Sequence, residues 1–520
     1  MKKLSDNDMW IRKVGAEMIP PSLKDNTADA DRLQKVVRKT LQTEDVVVAY
    51  SLLKKLPRLL REYAYRVEAL VFMGRSEWRL IDVMPFQHAT GIYGIAIDLG
   101  SSTIVLRLLD LETREQKDEI SFHNPQIKIG ADILSRIHYA GLGRDRLEEL
   151  QGLVTDRVNQ EIHALSEKHG IGAGAIAGIA VAGNTTMTHL FLGLDPYGIC
   201  REPYIPVINT PDLIRSSEVG LDVNPEAPVL VFPNVGSYFG GDLIAGILAS
   251  GMSREDEISF LIDVGTNAEV VIGNKDWLMA CAGAAGPALE GGVAGMGMMA
   301  GPGVIDQVAI DPDTLEFRIR TIDDLPPVGI CGSGLIDLVA QLFLAGMIDL
   351  MAKFVPEKCG DRLVEIDGIR NLVVVPAEAS GTGRALTLSQ PDIDALVRSK
   401  AAMYTILTTI ANTVNMSLDE IERYYVAGTF GTYIDPRSAI TIGMIPDRPL
   451  EVYVPLGNTS LEGATRALLS MRERDEIRRI RDRITYIELN VNQEFMNLFS
   501  AAKFLPHTDR SLFPSVRANS

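Results

Sequence analysis

The sequence predicts an α/β fold made of two related halves behind a small α+β N-terminal piece, and three observations carry the prediction. An apolar run ending in an acidic, glycine and hydroxyl turn, residues 93–103 with Asp98 in the turn, recurs at 260–267 with Asp263 in the same place, 165 residues on. A second phrase, residues 179–185, is answered at 424–431, so that Gly183 and Gly428 stand 245 residues apart. Residues 1–90 hold 16 Lys and Arg against 12 Asp and Glu, whereas residues 91–520 hold 35 against 56, which sets the N-terminal piece apart electrically.

Within that piece, residues 29–41 have the apolar spacing of a helix and residues 64–73 the texture of one or two strands. Between them residues 52–61 concentrate Lys54, Lys55, Arg58 and Arg61, and Pro57 is expected to break any helix through the stretch. The segment reads first as a solvated basic face, and second as a docking surface for an acidic partner or for the acidic body of the same chain. With residues 1–90 set aside, the two repeated phrases divide the remainder into a first half at 91–255 and a second at 256–520. The wider spacing of the second phrase gives the second half roughly 80 extra residues, expected at about 306–391.

Over 520 residues the chain is 46% apolar and 23% charged with a net charge of −17, enough apolar side chain for more than one core and a surface that repels a nucleic-acid backbone. The charge-free tract 171–194 is punctuated by Gly172, Gly174, Gly178 and Gly183, and reads as strand, turn and helix, not as a membrane span. The first residues carry charge where an export signal needs an apolar run. Cys200, Cys281, Cys331 and Cys359 lack C-x-x-C spacing, which argues against a disulfide framework or a cysteine-held cluster and suits the cytoplasm.

A strand ending in Asp-x-Gly-Ser/Thr suits nucleotide phosphates. Glycine permits close backbone approach, successive amides and hydroxyls donate to phosphate oxygens, and the aspartate can hold a hydrated Mg²⁺ or orient water. One such turn is more often a plain β-turn, and the duplication gives the pair its weight. Residues 329–337 place Gly332, Ser333 and Gly334 at the entry to an apolar-periodic helix, as a ligand turn or as packing glycines. Gly428, Thr429 and Gly431 follow a strand, where backbone can lie against adenine or ribose or simply turn. The small-residue run 281–292 is a site-lining loop or a close crossing, and neither the cysteines nor the seven histidines show nucleophile or metal spacing.

Together these phrases resemble the superfamily of sugar kinases, heat-shock chaperone ATPases and actin. Within it, residues 124–127 with 130–132, 182–187, 263–269, 329–334 and 505–507 look like the reductive activators of corrinoid proteins, over nearly the whole chain. Residues 20–23 and 56–61 are similar to the segment that precedes the ATPase body of that family. The resemblance implies two ribonuclease H-like, actin-like ATPase subdomains around a nucleotide cleft, and an activity that couples ATP hydrolysis to reduction of a Co(II) corrinoid to Co(I). The implied partner is the corrinoid protein of a methyltransferase system, and a homodimer is allowed. It assigns Mg²⁺ and water to Asp98 and Asp263, and phosphates to Gly100, Ser101, Ser102, Thr103, Gly265, Thr266, Asn267 and Glu269. Gly332, Ser333, Gly334, Gly428, Thr429 and Gly431 would shape the rest of the nucleotide site.

Such activators take their electron through an iron-sulfur domain, commonly a plant-type ferredoxin module at the N-terminus. No cysteine precedes Cys200 here. The chain is therefore expected to bind and hydrolyse ATP yet hold no iron-sulfur cluster, with a ferredoxin-like domain or protein outside it as electron donor. Two other classes stay open: a small-molecule kinase, which a phosphorylated product would reveal, and a nucleotide-regulated protein-binding module without redox role.

Overall fold

The computed structural model describes residues 8–87, 91–264, 268–283, 294–488 and 493–517. The chain divides by contact into two units, Met1–Ala249 with Thr459–Asp482, and Ser250–Asn458 with Arg483–Ser520.

The first unit begins with β1 (Ile11–Glu17), α1 (Asp29–Leu41), β2 (Val46–Val48), α2 (Tyr50–Glu62), β3 (Arg66–Met73) and β4 (Trp78–Pro85). The strands form one sheet in the order β1-β3-β4-β2, antiparallel except where β2 runs alongside β4. Against the sequence expectation, α2 continues through Pro57. Its Leu52, Leu56, Leu59 and Leu60 are all buried, and at about 1.5 to 3 kcal/mol per buried leucine they outweigh the ~3 kcal/mol of one interior proline. The basic face is partly taken up at home: Lys55 pairs with Asp82 at 2.8 Å and Arg61 with Asp29 at 2.7 Å.

The α/β core of this unit follows as β5 (Tyr93–Leu99), β6 (Thr103–Asp110), β7 (Gln116–His123), α3 (Ile133–Ala140), α4 (Arg144–His169), β8 (Ile176–Gly183), α5 (Thr185–Phe191), β9 (Ile214–Arg215), β10 (Pro228–Val231) and α6 (Gly241–Ser250). Its sheet has the order β7-β6-β5-β8-β10-β9. β5, β6 and β7 form an antiparallel meander, and β8 and β10 run parallel to β5.

The second unit repeats the plan with β11 (Ser259–Val264), β12 (Ala268–Gly273) and β13 (Leu278–Gly283) as the meander. Then come β14 (Val304–Ile310), β15 (Phe317–Thr321), β16 (Gly329–Ile330), α7 (Gly332–Leu344), the single turn α8 (Pro356–Cys359), β17 (Leu363–Ile366), β18 (Ile369–Val375), β19 (Leu386–Ser389) and α9 (Gln390–Thr413). The parallel pair is β20 (Arg423–Ala427) and, after α10 (Gly428–Tyr433) and α11 (Pro436–Thr441), β21 (Tyr453–Gly457). The chain closes with α12 (Thr459–Leu469), α13 (Met471–Arg483), β22 (Ile484–Glu488) and α14 (Gln493–Ala501). In the sheet order β21-β20-β11-β12-β13-β22 five strands reproduce the first, a central strand with a two-strand meander on one side and two parallel strands on the other, while the sixth strand lies at the opposite edge, β9 beside β10 in the first and β22 beside β13 in the second. The duplication heard in the sequence is a duplication of topology. Two small three-stranded sheets, β15-β14-β16 and β17-β18-β19, are added between the third and fourth core strands of the second unit.

Helix α12 packs in the first unit, on β5 and β8. Gly94 and Gly178 are register partners on those strands. They leave a dent where a Cβ would come within 2.7 Å of Leu468 and 2.1 Å of Ile11. Gly463 of α12 crosses α6 so closely that a Cβ would stand 2.3 Å from the Ala245 carbonyl oxygen. The Trp10 indole donates to the Ala467 carbonyl at 2.9 Å, tying the N-terminal strand to the same helix.

In the second unit, Lys400 of α9 is fully buried and donates to the carbonyls of Phe504 (2.5 Å) and Pro506 (2.7 Å). Burial drives its pKa well below the usual amine range. Because the folded-state pKa lies below the unfolded value of about 10.4, the unfolded chain binds the extra proton between the two, and stability rises with pH over that interval. The urea midpoint is expected to rise between pH 7 and about 9.5, and a Lys400→Met variant to lose that slope. An unchanged slope in the variant would assign it to other groups.

Candidate functional site

In the first unit the site grows from the carboxyl-terminal ends of the parallel strands β5, β8 and β10, the end of an open α/β sheet where ligands bind. Asp98 is the penultimate residue of β5, level with Val105 on β6 and Ala182 on β8, and is partly buried. The following turn is cramped: a Cβ on Gly100 would lie 2.3 Å from the Thr103 carbonyl oxygen, so only glycine closes it. Three side chains hold the turn. Asn124 Nδ2 donates to the Gly100 carbonyl at 2.9 Å, Arg136 Nη2 to the Ser101 carbonyl at 2.7 Å, and Asn184 Nδ2 to Ser101 Oγ at 2.9 Å. The Asn124 amide donates to the Ser102 carbonyl at 2.9 Å.

Asn184 also caps α5, its side chain accepting from the Met187 amide at 2.9 Å. Gly240, just before α6, lies against it, with a built Cβ 2.5 Å from the Asn184 Cα and from the Asp242 carboxylate. The β5 turn, the β8–α5 junction and the start of α6 therefore share one corner of the unit. Arg136 is fully buried, and its other contacts are the Gly130 carbonyl at 2.9 Å, Met187 Sδ at 3.2 Å and Gln126 Oε1 at 3.4 Å. Burial lowers its pKa, with Asp132 opposing. A guanidinium bonded mainly to neutral groups places positive potential beneath the turn, which favours an anionic ligand above it.

In the second unit Asp263 occupies the equivalent place on β11, level with Ala427 on β20 and paired in register with Glu269 on β12. Residues directly opposite on antiparallel strands share a sheet face. Two carboxylates so placed are a setting for a cation. Gly428 has a φ of +78°, and a Cβ there would stand 3.2 Å from Asp263 Oδ1, so the β20–α10 junction lies over the β11 carboxylate. Gly431 is tighter still, 2.7 Å from the Val426 carbonyl oxygen. Beneath it is an apolar cavity of about 90 Å³ lined by Ile262, Val264, Met403, Val426 and Tyr453.

Gly265, Thr266 and Asn267 lie outside the described residues, as do the side chain of Thr429 and most of the 281–292 run. Gly332, Ser333 and Gly334 open α7, with Cys331 as N-cap. Gly334 is a packing position, since a Cβ would meet the Ile305 carbonyl oxygen at 2.5 Å. Ser333 Oγ is 3.2 Å from Cys331 Sγ. The residues missed from sequence are the supports: Asn124 and Asn184 stand in family-like phrases, but Arg136 shows there only as a charge in a short helix.

Cys281, Cys331 and Cys359 are buried, and burial raises the pKa of Cys281 strongly and that of Cys359 to about 11, as for inert thiols. Among the described residues no three His, Cys, Asp or Glu gather to hold a metal ion, and no helix is long and apolar enough to cross a membrane.

Comparison with known proteins gives three family matches that tile the chain. Residues 6–90 match the RACo linker region, 93–255 the RACo middle region, and 257–517 the C-terminal domain of RACo, the ASKHA domain. A corrinoid activation enzyme, RamQ of Eubacterium limosum, is 30% identical over 484 residues, 91% of this chain and 79% of the relative. The methylated-amine-specific Co(II) corrinoid protein reductase of Methanosarcina barkeri is 25% identical over 443 residues, 78% of this chain and 76% of its own. The solved structure of a reductive activator for corrinoid, iron-sulfur protein superposes with a TM-score of 0.89 at 38% identity, covering 99% of this chain and 82% of that one.

Proposed function

The chain belongs to the RACo family, and from that premise we propose that it is an ATP-dependent reductive activator that returns a corrinoid protein from Co(II) to Co(I). The similarity to a solved reductive activator along 99% of the chain supports this reading more than any other observation. The enzyme's own contribution is ATP hydrolysis. In this reading Gly100, Ser101, Ser102 and Thr103 hold phosphate oxygens, the buried Arg136 adds positive potential from below, and Gly428 and Gly431 give backbone close access to the nucleoside. Asp98 and Asp263 would orient the attacking water and bind Mg²⁺ through its hydration shell, with Gly265, Thr266, Asn267 and Glu269 alongside Asp263.

The donor set fits Mg²⁺, which takes one or two carboxylates and completes its shell with water and phosphate, and needs no cluster of three side chains. It does not fit an iron-sulfur cluster. Cys200, Cys281, Cys331 and Cys359 are free, sit in different elements, and form no ligand group among the described residues. The electron is therefore proposed to come from a ferredoxin-like domain or protein outside these residues.

The test is ATPase activity with and without a Co(II) corrinoid protein, in the presence of a one-electron reductant, while the corrinoid spectrum is followed. Stimulation together with appearance of Co(I) is expected. Strong turnover with no response to the corrinoid protein would instead favour the kinase or binding-module reading.

A further inference from the structure

The first unit also contains a cavity of about 310 Å³, which borders the end of β10 but none of the residues assigned to the nucleotide. Its wall comes from four segments: the β3–β4 turn with Gly74 and Arg75, the stretch with Thr210 and Asp212, the end of β10 with Leu230 and Val231, and helix α13 with Arg474, Arg478 and Arg481. The three α13 arginines are four and three residues apart, the spacing that puts side chains on one helix face. Arg474 is anchored, donating to the carbonyls of Met73 (2.5 Å) and Gly74 (3.2 Å) and lying over the Trp10 ring at 4.6 Å. Burial draws its pKa down to about 10, so it is still a cation at neutral pH. Arg481 donates to Thr210 Oγ1 at 2.7 Å and also pairs with Asp482, and Arg75 pairs with Asp212. Arg478 is exposed. Four guanidinium groups thus line a space with two carboxylates against them, Asp212 on Arg75 and Asp482 on Arg481.

We propose that this cavity is a binding site for a small phosphate-bearing anion, distinct from the nucleotide site. The guanidinium fork matches phosphate oxygens two at a time, all four cations of the wall are arginine, and the volume is at the small end of ligand sites. The anion would join Arg75 of the N-terminal sheet to Arg478 and Arg481 of α13, segments more than 400 residues apart in sequence. Binding would therefore hold the N-terminal piece on the α/β body of the same unit.

Inorganic phosphate and pyrophosphate are the probes, titrated against the whole chain by calorimetry and thermal melting in constant chloride. ADP at saturation occupies the nucleotide site, so that any remaining heat belongs to the second one. Saturable binding with a raised melting temperature is expected, weakened about 10-fold by Arg478→Gln and by Arg481→Gln. ADP affinity should stay unchanged in both variants, which separates failure of this proposal from failure of the nucleotide reading. Phosphate binding indifferent to both substitutions would overturn the site. So would a salt-sensitive loss of corrinoid-protein affinity in Arg478→Gln without any phosphate binding, which would make the arginines a protein-docking face.

Discussion

An Asp98→Asn variant is expected to fold like the parent and to lose ATP turnover by about 10²- to 10⁴-fold, the range for a single positioned acid-base or charge-stabilising group. The substitution is nearly isosteric and falls at the end of a strand paired on both sides, so the backbone has little reason to move. What changes is charge. On the proposed reading the amide would no longer attract hydrated Mg²⁺ or polarise a water, while the turn above Arg136 would keep its phosphate-binding groups. ADP affinity should therefore fall far less than turnover. Because the duplication supplies a second candidate, Asp263→Asn is the necessary companion: the variant with the larger loss in turnover identifies the carboxylate nearer the reacting phosphate. Near-normal turnover in Asp98→Asn would remove it from the mechanism.

The largest expected effect on stability is that of Gly463→Val. A Cβ at 463 would lie 2.3 Å from the Ala245 carbonyl oxygen and 2.6 Å from two further backbone atoms of that residue. Backbone of a packed helix cannot rotate away as a side-chain tip can, so α12 must lift from α6, at a cost of roughly 3 kcal/mol or more. Lifting α12 also strands Leu468 above its glycine dent and withdraws the Ala467 carbonyl from Trp10. Urea unfolding followed by tryptophan fluorescence reads this directly. Gly152→Ala, in α4 where a built Cβ meets nothing within 4 Å, is the contrast and should stabilise by about 0.5 to 1 kcal/mol. Equal effects at the two positions would refute the crossing argument.

What the sequence made legible was local or repeated. The strand-turn phrases at 98 and 263 and their Ala-Gly partners surfaced because a duplicated strand leaves a duplicated pattern, and the helices at 29–41 and 332–344 because helical spacing is itself a local signal. The misreading of Pro57 shows the limit of local rules: four buried leucines on one face overrode a helix breaker. The supports of the candidate site were invisible for another reason. Asn124, Arg136 and Asn184 reach the 100–102 turn from 24, 35 and 83 residues away. Only the sheet order brings them together. The same holds for Gly334, whose packing against Ile305 requires knowing that α7 lies on β14.

The return of α12 to the first sheet has a consequence for the order of events at the ribosome. The N-terminal strand and the glycine dent are ready early, but the helix that seals them is written 457 residues after Trp10. From the end of β10 at Val231 to the start of α12 at Thr459 the ribosome adds 228 residues, which at ~5 to 20 residues per second is a wait of roughly 11 to 46 s in which the first α/β sheet stands without that helix. The first unit cannot fold to completion until residues Ser250–Asn458 of the second have been made, because α12 follows them in the chain. A nascent chain halted between Val231 and Thr459 should thus leave the α12-facing side of β5 and β8 at Gly94 and Gly178 without its helix, and depend on chaperones for as long as the halt lasts.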